Sequence, residues 1–160
     1  MRLVSSFLVA FLALAACVDN ADYQAIVDQA RSSGQPIMIV RVATSSPNSV
    51  GGVDLRVDAV NTSNKTIKYL EYDAQAFNAV GDAVRGEIRN RSIAGARETG
   101  PIPPNGRTAA GVWSNLWYNP SIRCARLTEV KIIYMDNTSK TFRGQSINSL
   151  LGPRANQPCN

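Results

Sequence analysis

The run Val53-Asp54-Leu55-Arg56-Val57-Asp58-Ala59-Val60 alternates apolar and polar residues almost without a break. Side chains along an extended chain point to opposite faces with a period of two, so this pattern suits a strand with one face in a core and the other in water. A helix would smear the same residues around its circumference. Other strand-length runs recur along the chain. Ile37 to Val42 is a short run rich in β-branched residues, and it is closed by a polar cluster over Thr44 to Ser49. Thr66 to Phe77 reads as a long returning strand after the turn Asn61 to Lys65, with a bulge near Tyr69-Leu70. A shorter strand is expected through Ala83 to Ile88, then an irregular stretch to about Gly106, because Pro101, Pro103 and Pro104 suit a central strand poorly. Thr108 to Trp113, Leu127 to Tyr134 and a closing hairpin strand around Lys140 to Phe142 complete about seven strands, the spacing of a small β-sandwich in an all-β chain.

The first residues follow a different grammar. Met1-Arg2 is a short positive start, Leu3 to Ala13 is apolar apart from Ser5 and Ser6, and Leu14-Ala15-Ala16 brings small residues to a processing point, as in a signal peptide. The run falls short of the ~20 apolar residues that span a bilayer. Leu14-Ala15-Ala16-Cys17 resembles the lipobox of bacterial lipoproteins. The resemblance implies cleavage before Cys17, lipidation of its thiol and attachment to a membrane of the cell envelope. Residue 18 is Val rather than Asp, which by the same resemblance favours the outer membrane, facing the periplasm, over the inner one. A short helix from Tyr23 to Ala30, with Tyr23, Ile26 and Ala30 on one stripe and Gly34 and Pro36 beyond its end, is expected to act as a spacer. The expected order is a signal peptide at 1–16, the lipidated cysteine and spacer at 17–35, the sandwich at 36–145 and a C-terminal tail at 146–160.

The segments Val60 to Leu70 and Phe77 to Asp82, followed by Gly100-Pro101-Ile102, are similar to the FxLYD-type immunoglobulin-like domains of bacterial envelope proteins. The similarity covers Ile37 to Phe142 and departs from that pattern at Asn137, where glycine is usual. It implies a noncatalytic module and names no ligand.

Composition narrows the chemistry. With no histidine among 160 residues, Ser-His-Asp triads, Cys-His dyads and His-containing zinc sites are excluded. Gly51-Gly52 lacks the Lys and further glycines of a phosphate loop and reads as a hairpin turn. No cofactor, metal ligand set or catalytic residue is expected, and Asp54 and Asp58 fall on the solvent side of their strand. The net charge of +5 is the excess of 17 Lys and Arg over 12 Asp and Glu, and the arginines Arg85, Arg89, Arg91, Arg97, Arg107, Arg123 and Arg126 are scattered rather than gathered in a basic stripe interleaved with aromatics. A nucleic-acid partner is therefore not expected, and any convergence of these arginines in an exported chain would favour an anionic envelope polymer or headgroup. In an oxidising compartment the remaining pair Cys124 and Cys159 is expected to form a disulfide.

Trp113, Trp117 and Tyr118 form the one aromatic concentration. Exposed, such a cluster would dock an envelope protein or stack on a sugar. The competing reading places Trp113 in the core and has Trp117 and Tyr118 cover an open end of the sandwich. Three functions follow: a membrane-anchored noncatalytic interaction module, a glycan-binding module of the envelope, or a structural envelope protein without a discrete ligand.

Overall fold

The computed structural model describes residues 24–108, 111–153, 155 and 159. The leader, Cys17 and Tyr23 lie outside the described residues.

Seven antiparallel strands form two sheets. They are β1 (Ile37–Thr44), β2 (Gly52–Asn61), β3 (Ile67–Phe77), β4 (Ile93–Ile102), β5 (Gly111–Tyr118), β6 (Cys124–Tyr134) and β7 (Ser139–Arg143). One sheet has the order β1-β2-β5 and the other β4-β3-β6-β7. Chain segments therefore cross between sheets after β2, β4 and β5, and the two sheets make the small all-β sandwich expected from the strand spacing.

The core lies between the sheets and is filled by the alternating positions. From β2 it takes Val53, Leu55, Val57 and Ala59, and from β3 it takes Ile67, Leu70, Tyr72, Ala74 and Ala76. The step from Ile67 to Leu70 breaks the period of two because the register shifts between Ile67 and Tyr69 against both neighbouring strands. The anticipated bulge thus lies at Lys68, slightly earlier than expected, and it restores the inward direction for Leu70.

β1 is apolar at consecutive positions because both of its faces are covered. Ile37 and Ile39 enter the core, while Met38 packs outside with Val60 of β2 against Val27 and Ala30 of a helix over 24–32. That helix is docked on the sheet rather than held away from it as a spacer. Its end is a Schellman motif: Gly34 has φ +74°, its N–H donates to Arg31 O and the Gln35 N–H donates to Ala30 O.

Two expectations from sequence are corrected. Ala83 to Ile88 is not a strand; it touches the sheet through one bridge, Ala83 with Phe77, and then leaves as a loop. The strand of this region is β4, in the stretch read as irregular. It pairs with β3 alone, and an edge strand tolerates Pro101, whose missing N–H removes no bond from a second partner. Gly100 is required by close approach, since a Cβ there would lie 2.3 Å from Ile67 O.

Beyond β7 the chain forms a 3₁₀ helix, Gly144–Leu150, that sends Ile147 and Leu150 into the core. Leu151 then bridges to Ile39 in parallel, and Ala155 is also buried. Asn61 fixes the corner between β2 and β3. Its amide donates to Lys65 O (2.8 Å) and Ile102 O (2.9 Å), and its Oδ1 accepts from the N–H (3.0 Å) and hydroxyl (2.7 Å) of Ser63. Only 1% of Asn61 is exposed, and these bonds satisfy a polar group that would otherwise be costly to bury.

Among the described residues two buried polar atoms lack a hydrogen-bond partner, Tyr72 Oη and Trp117 Nε1. Tyr72 meets Trp113 edge to face, with ring centroids 5.8 Å apart. Burial first, then the charges of Glu98 and Asp58, push its hydroxyl above the ordinary tyrosine value, so it stays protonated. A hydroxyl desolvated without a partner costs ~1–3 kcal/mol. Tyr72→Phe is accordingly expected to leave stability unchanged or raise it by about 1 kcal/mol. Urea unfolding checks this; a substantial loss would reveal a partner for the hydroxyl.

Candidate ligand groove at the seam between the sheets

β4 and β5 are edge strands of different sheets that lie side by side without a strand ladder between them. Unpaired edges expose backbone donors and acceptors and need cover. Here the cover comes from side chains and from the loop over 78–92. The Trp113 indole N–H donates to Arg97 O across the seam (3.1 Å). Farther along, the Glu87 N–H donates to Tyr118 O (2.7 Å) and the Asn119 amide donates to Arg85 O (2.8 Å), which pins the loop to the end of β5.

Between loop and strands lies a groove of about 240 Å³ lined by Gly86, Arg89, Arg91, Ala94, Gly95, Asn115, Leu116, Trp117 and Tyr118. The turn carrying the arginines is held by the Gly86 N–H donating to Arg91 O (2.9 Å) and by the Arg85 guanidinium donating to Asn90 O (3.3 Å). Asn90 occupies the left-handed region at φ 47°, a conformation that asparagine tolerates better than most residues. On the facing wall, β5 is interrupted by an irregularity. Val53 pairs with Trp117 but Leu55 with Trp113, so the intervening residues of β5 bulge away. Asn115 sits there at φ 52°, its N–H donating to Asp54 Oδ1 (2.8 Å) and its own Oδ1 accepting from the Asn48 amide (2.9 Å).

The three aromatic candidates are thus distributed rather than gathered on a surface. Trp117 is core, only 2% exposed, with part of the residue forming the back of the groove. Trp113 is half-buried against Tyr72. Tyr118, also half-buried, is the candidate left at a recess open to ligand. Cys124 and Cys159 are bonded to each other, with Cα atoms 5.6 Å apart. Cys17 lies outside the described residues.

The sequence places Arg89 and Arg91 only among seven scattered arginines whose convergence it does not show. The available signal was Arg89-Asn90-Arg91, a turn-forming residue between two cations, but its meaning depends on β5 arriving opposite. Both arginines are exposed, and among the described residues neither has a carboxylate partner within salt-bridge distance. Several other cations are committed. Arg97 and Lys131 flank Glu71, Arg143 pairs with Glu129 (2.7 Å), and Lys65 pairs with Asp136 (2.6 Å). Desolvation pulls the Glu71 carboxyl upward, but hydrogen bonds from Arg97 and Lys131 outweigh it and hold the group below its ordinary value.

A larger cavity of about 320 Å³ adjoins the disulfide. Its guanidinium, from Arg126, is already occupied, donating to Cys159 O (2.6 Å) and lying 4.8 Å from the Phe77 ring centroid. Among the described residues no group of three or more Cys, Asp or Glu side chains is arranged to hold a metal ion, and no helix is long and apolar enough to cross a membrane. Comparison of the chain with protein-family models, with curated proteins and with solved structures finds no match.

Proposed function

We propose that the protein is a lipoprotein of the bacterial cell envelope, anchored through Cys17, whose β-sandwich acts as a noncatalytic binding module with the seam groove as its recognition site. The observation that carries the reading is the groove itself: Arg89 and Arg91, without carboxylate partners, stand opposite Asn115 and Tyr118 in a recess whose walls are fixed by backbone hydrogen bonds. Preorganised polar groups in a concave, partly apolar site are the general form of a ligand pocket. The noncatalytic assignment is supported by the lack of histidine and by the engagement of Asp54, Asp58 and Glu71 in structural bonds. The lipobox-like residues Leu14 to Cys17 support the anchor, and Val18 supports an outer-membrane destination facing the periplasm. The likeness to FxLYD-type domains supports a module that binds rather than catalyses.

A photo-crosslinking residue at Tyr118 in the full precursor is expected to capture a discrete envelope component in living cells. The same residue at Met135, in the turn between β6 and β7, should capture none. Charge reversal at Arg89 and Arg91 should abolish the Tyr118 adduct. Equal capture from both positions, or capture indifferent to charge reversal, would contradict the assignment of the groove. A glycan-binding module is the second reading, favoured by the half-buried Tyr118 beside two arginines.

A further inference from the structure

Resting on the binding-module reading, we infer that the seam groove takes one unit of an anionic saccharide, a sugar bearing a carboxylate or phosphate, with the oxyanion held by Arg89 and Arg91 and the sugar ring set against Tyr118.

Three features converge on this chemistry. Arginine presents a planar fork of donors that matches carboxylate and phosphate oxygens, and two such residues here have no carboxylate partner among the described residues. Tyr118 lines the recess beside the two arginines, and an aromatic residue next to hydrogen-bonding groups suits a ring that has both C–H faces and hydroxyls. The volume of about 240 Å³ falls below the ~300–1,000 Å³ of sites for drug-sized ligands, so a single sugar unit fits better than a folded partner's side chains or an extended peptide.

The test is a titration of the full mature chain in detergent micelles, followed by amide NMR shifts of Gly86, Gly95 and Tyr118. The probes are glucuronate, glucose 1-phosphate, glucose and inorganic phosphate. Saturable shifts with glucuronate or glucose 1-phosphate are expected, with binding at least tenfold weaker for glucose and for phosphate alone. A response to only one of the two anionic sugars supports the inference and identifies the oxyanion. The Arg89→Ala, Arg91→Ala double variant, whose changes are at exposed positions, should bind at least tenfold more weakly while keeping a dispersed spectrum; Arg89→Glu should reproduce the loss. Equal binding of glucose would overturn the role of charge, and equal binding of inorganic phosphate would overturn the role of the sugar. Absence of saturable shifts, or shifts unchanged in the double variant, would overturn the inference as a whole. If the titration fails while the Tyr118 photo-crosslinker still captures an envelope protein, the anionic-saccharide inference falls and the binding-module reading stands. Failure of both experiments removes both.

Discussion

Truncating Trp117 to alanine is expected to lower the unfolding free energy by about 3–5 kcal/mol, the cost of deleting a large aromatic side chain from a packed core. Trp117 pairs with Val53 across the β2–β5 ladder and belongs to the same buried cluster as Leu55, Tyr72 and Ile122. Its indole N–H has no partner among the described residues, so the loss comes from packing rather than from a broken hydrogen bond. Trp117→Phe, which keeps an aromatic ring and removes the unpaired N–H, should therefore cost much less. Tyr118→Ala, at a half-buried position, should change stability little while weakening saccharide binding in the titration. Urea unfolding of the three variants separates core from contact. A Trp117→Ala change within ~0.5 kcal/mol of wild type, the range of an ordinary surface substitution, would show that the residue does not support the core.

The second large effect concerns the bond between Cys124 and Cys159, which closes a loop with a sequence separation of 35 residues. In the chain-entropy account such a closure contributes about 3–4 kcal/mol by restricting the unfolded chain. The segment it closes includes β6, β7 and the 3₁₀ helix, whose Ile147 and Leu150 fill one end of the core. Replacing both cysteines with alanine, or reducing the protein, is thus expected to lower the melting temperature by roughly 10 °C for a chain of this size. The buried Ala155 and Cys159 should become the first to exchange their amide hydrogens. Identical melting curves with and without reductant, in a sample whose free thiols have been counted, would contradict this.

Strand by strand, legibility in the sequence tracks how much of the burial pattern is local. β2 could be read because its inward residues are all apolar and its outward ones are charged until Val60, where the 24–32 helix covers the sheet. β1 begins with four consecutive apolar residues, Ile37 to Val40, for the same reason: the second face there is hidden by a helix whose contact could not be inferred from periodicity alone. β4 escaped because its inward positions include Ala94, Glu98 and Gly100, which carry no clear alternation, and because its prolines suggested a loop. Desolvation raises the Glu98 carboxyl above its ordinary value, a physical mark of that inward position. β5 was expected to end at Trp113; the chain instead bulges after it and resumes pairing at Trp117. The groove was legible only as ingredients. Arg89 and Arg91 are far in sequence from Tyr118 and meet it because two edge strands from different sheets run alongside each other.

Anchoring at Cys17 is the claim on which the functional reading turns, because it would place a noncatalytic groove within reach of envelope ligands. The direct measurement is the intact mass and membrane fractionation of the mature chain expressed from the full precursor, beside a Cys17→Ala form. The account predicts a wild-type chain that begins at Cys17, carries acyl groups and sediments with membranes, and a Cys17→Ala form that lacks the acyl mass and loses stable membrane attachment. A mature wild-type chain without acyl mass, or unchanged membrane attachment in Cys17→Ala, would contradict it.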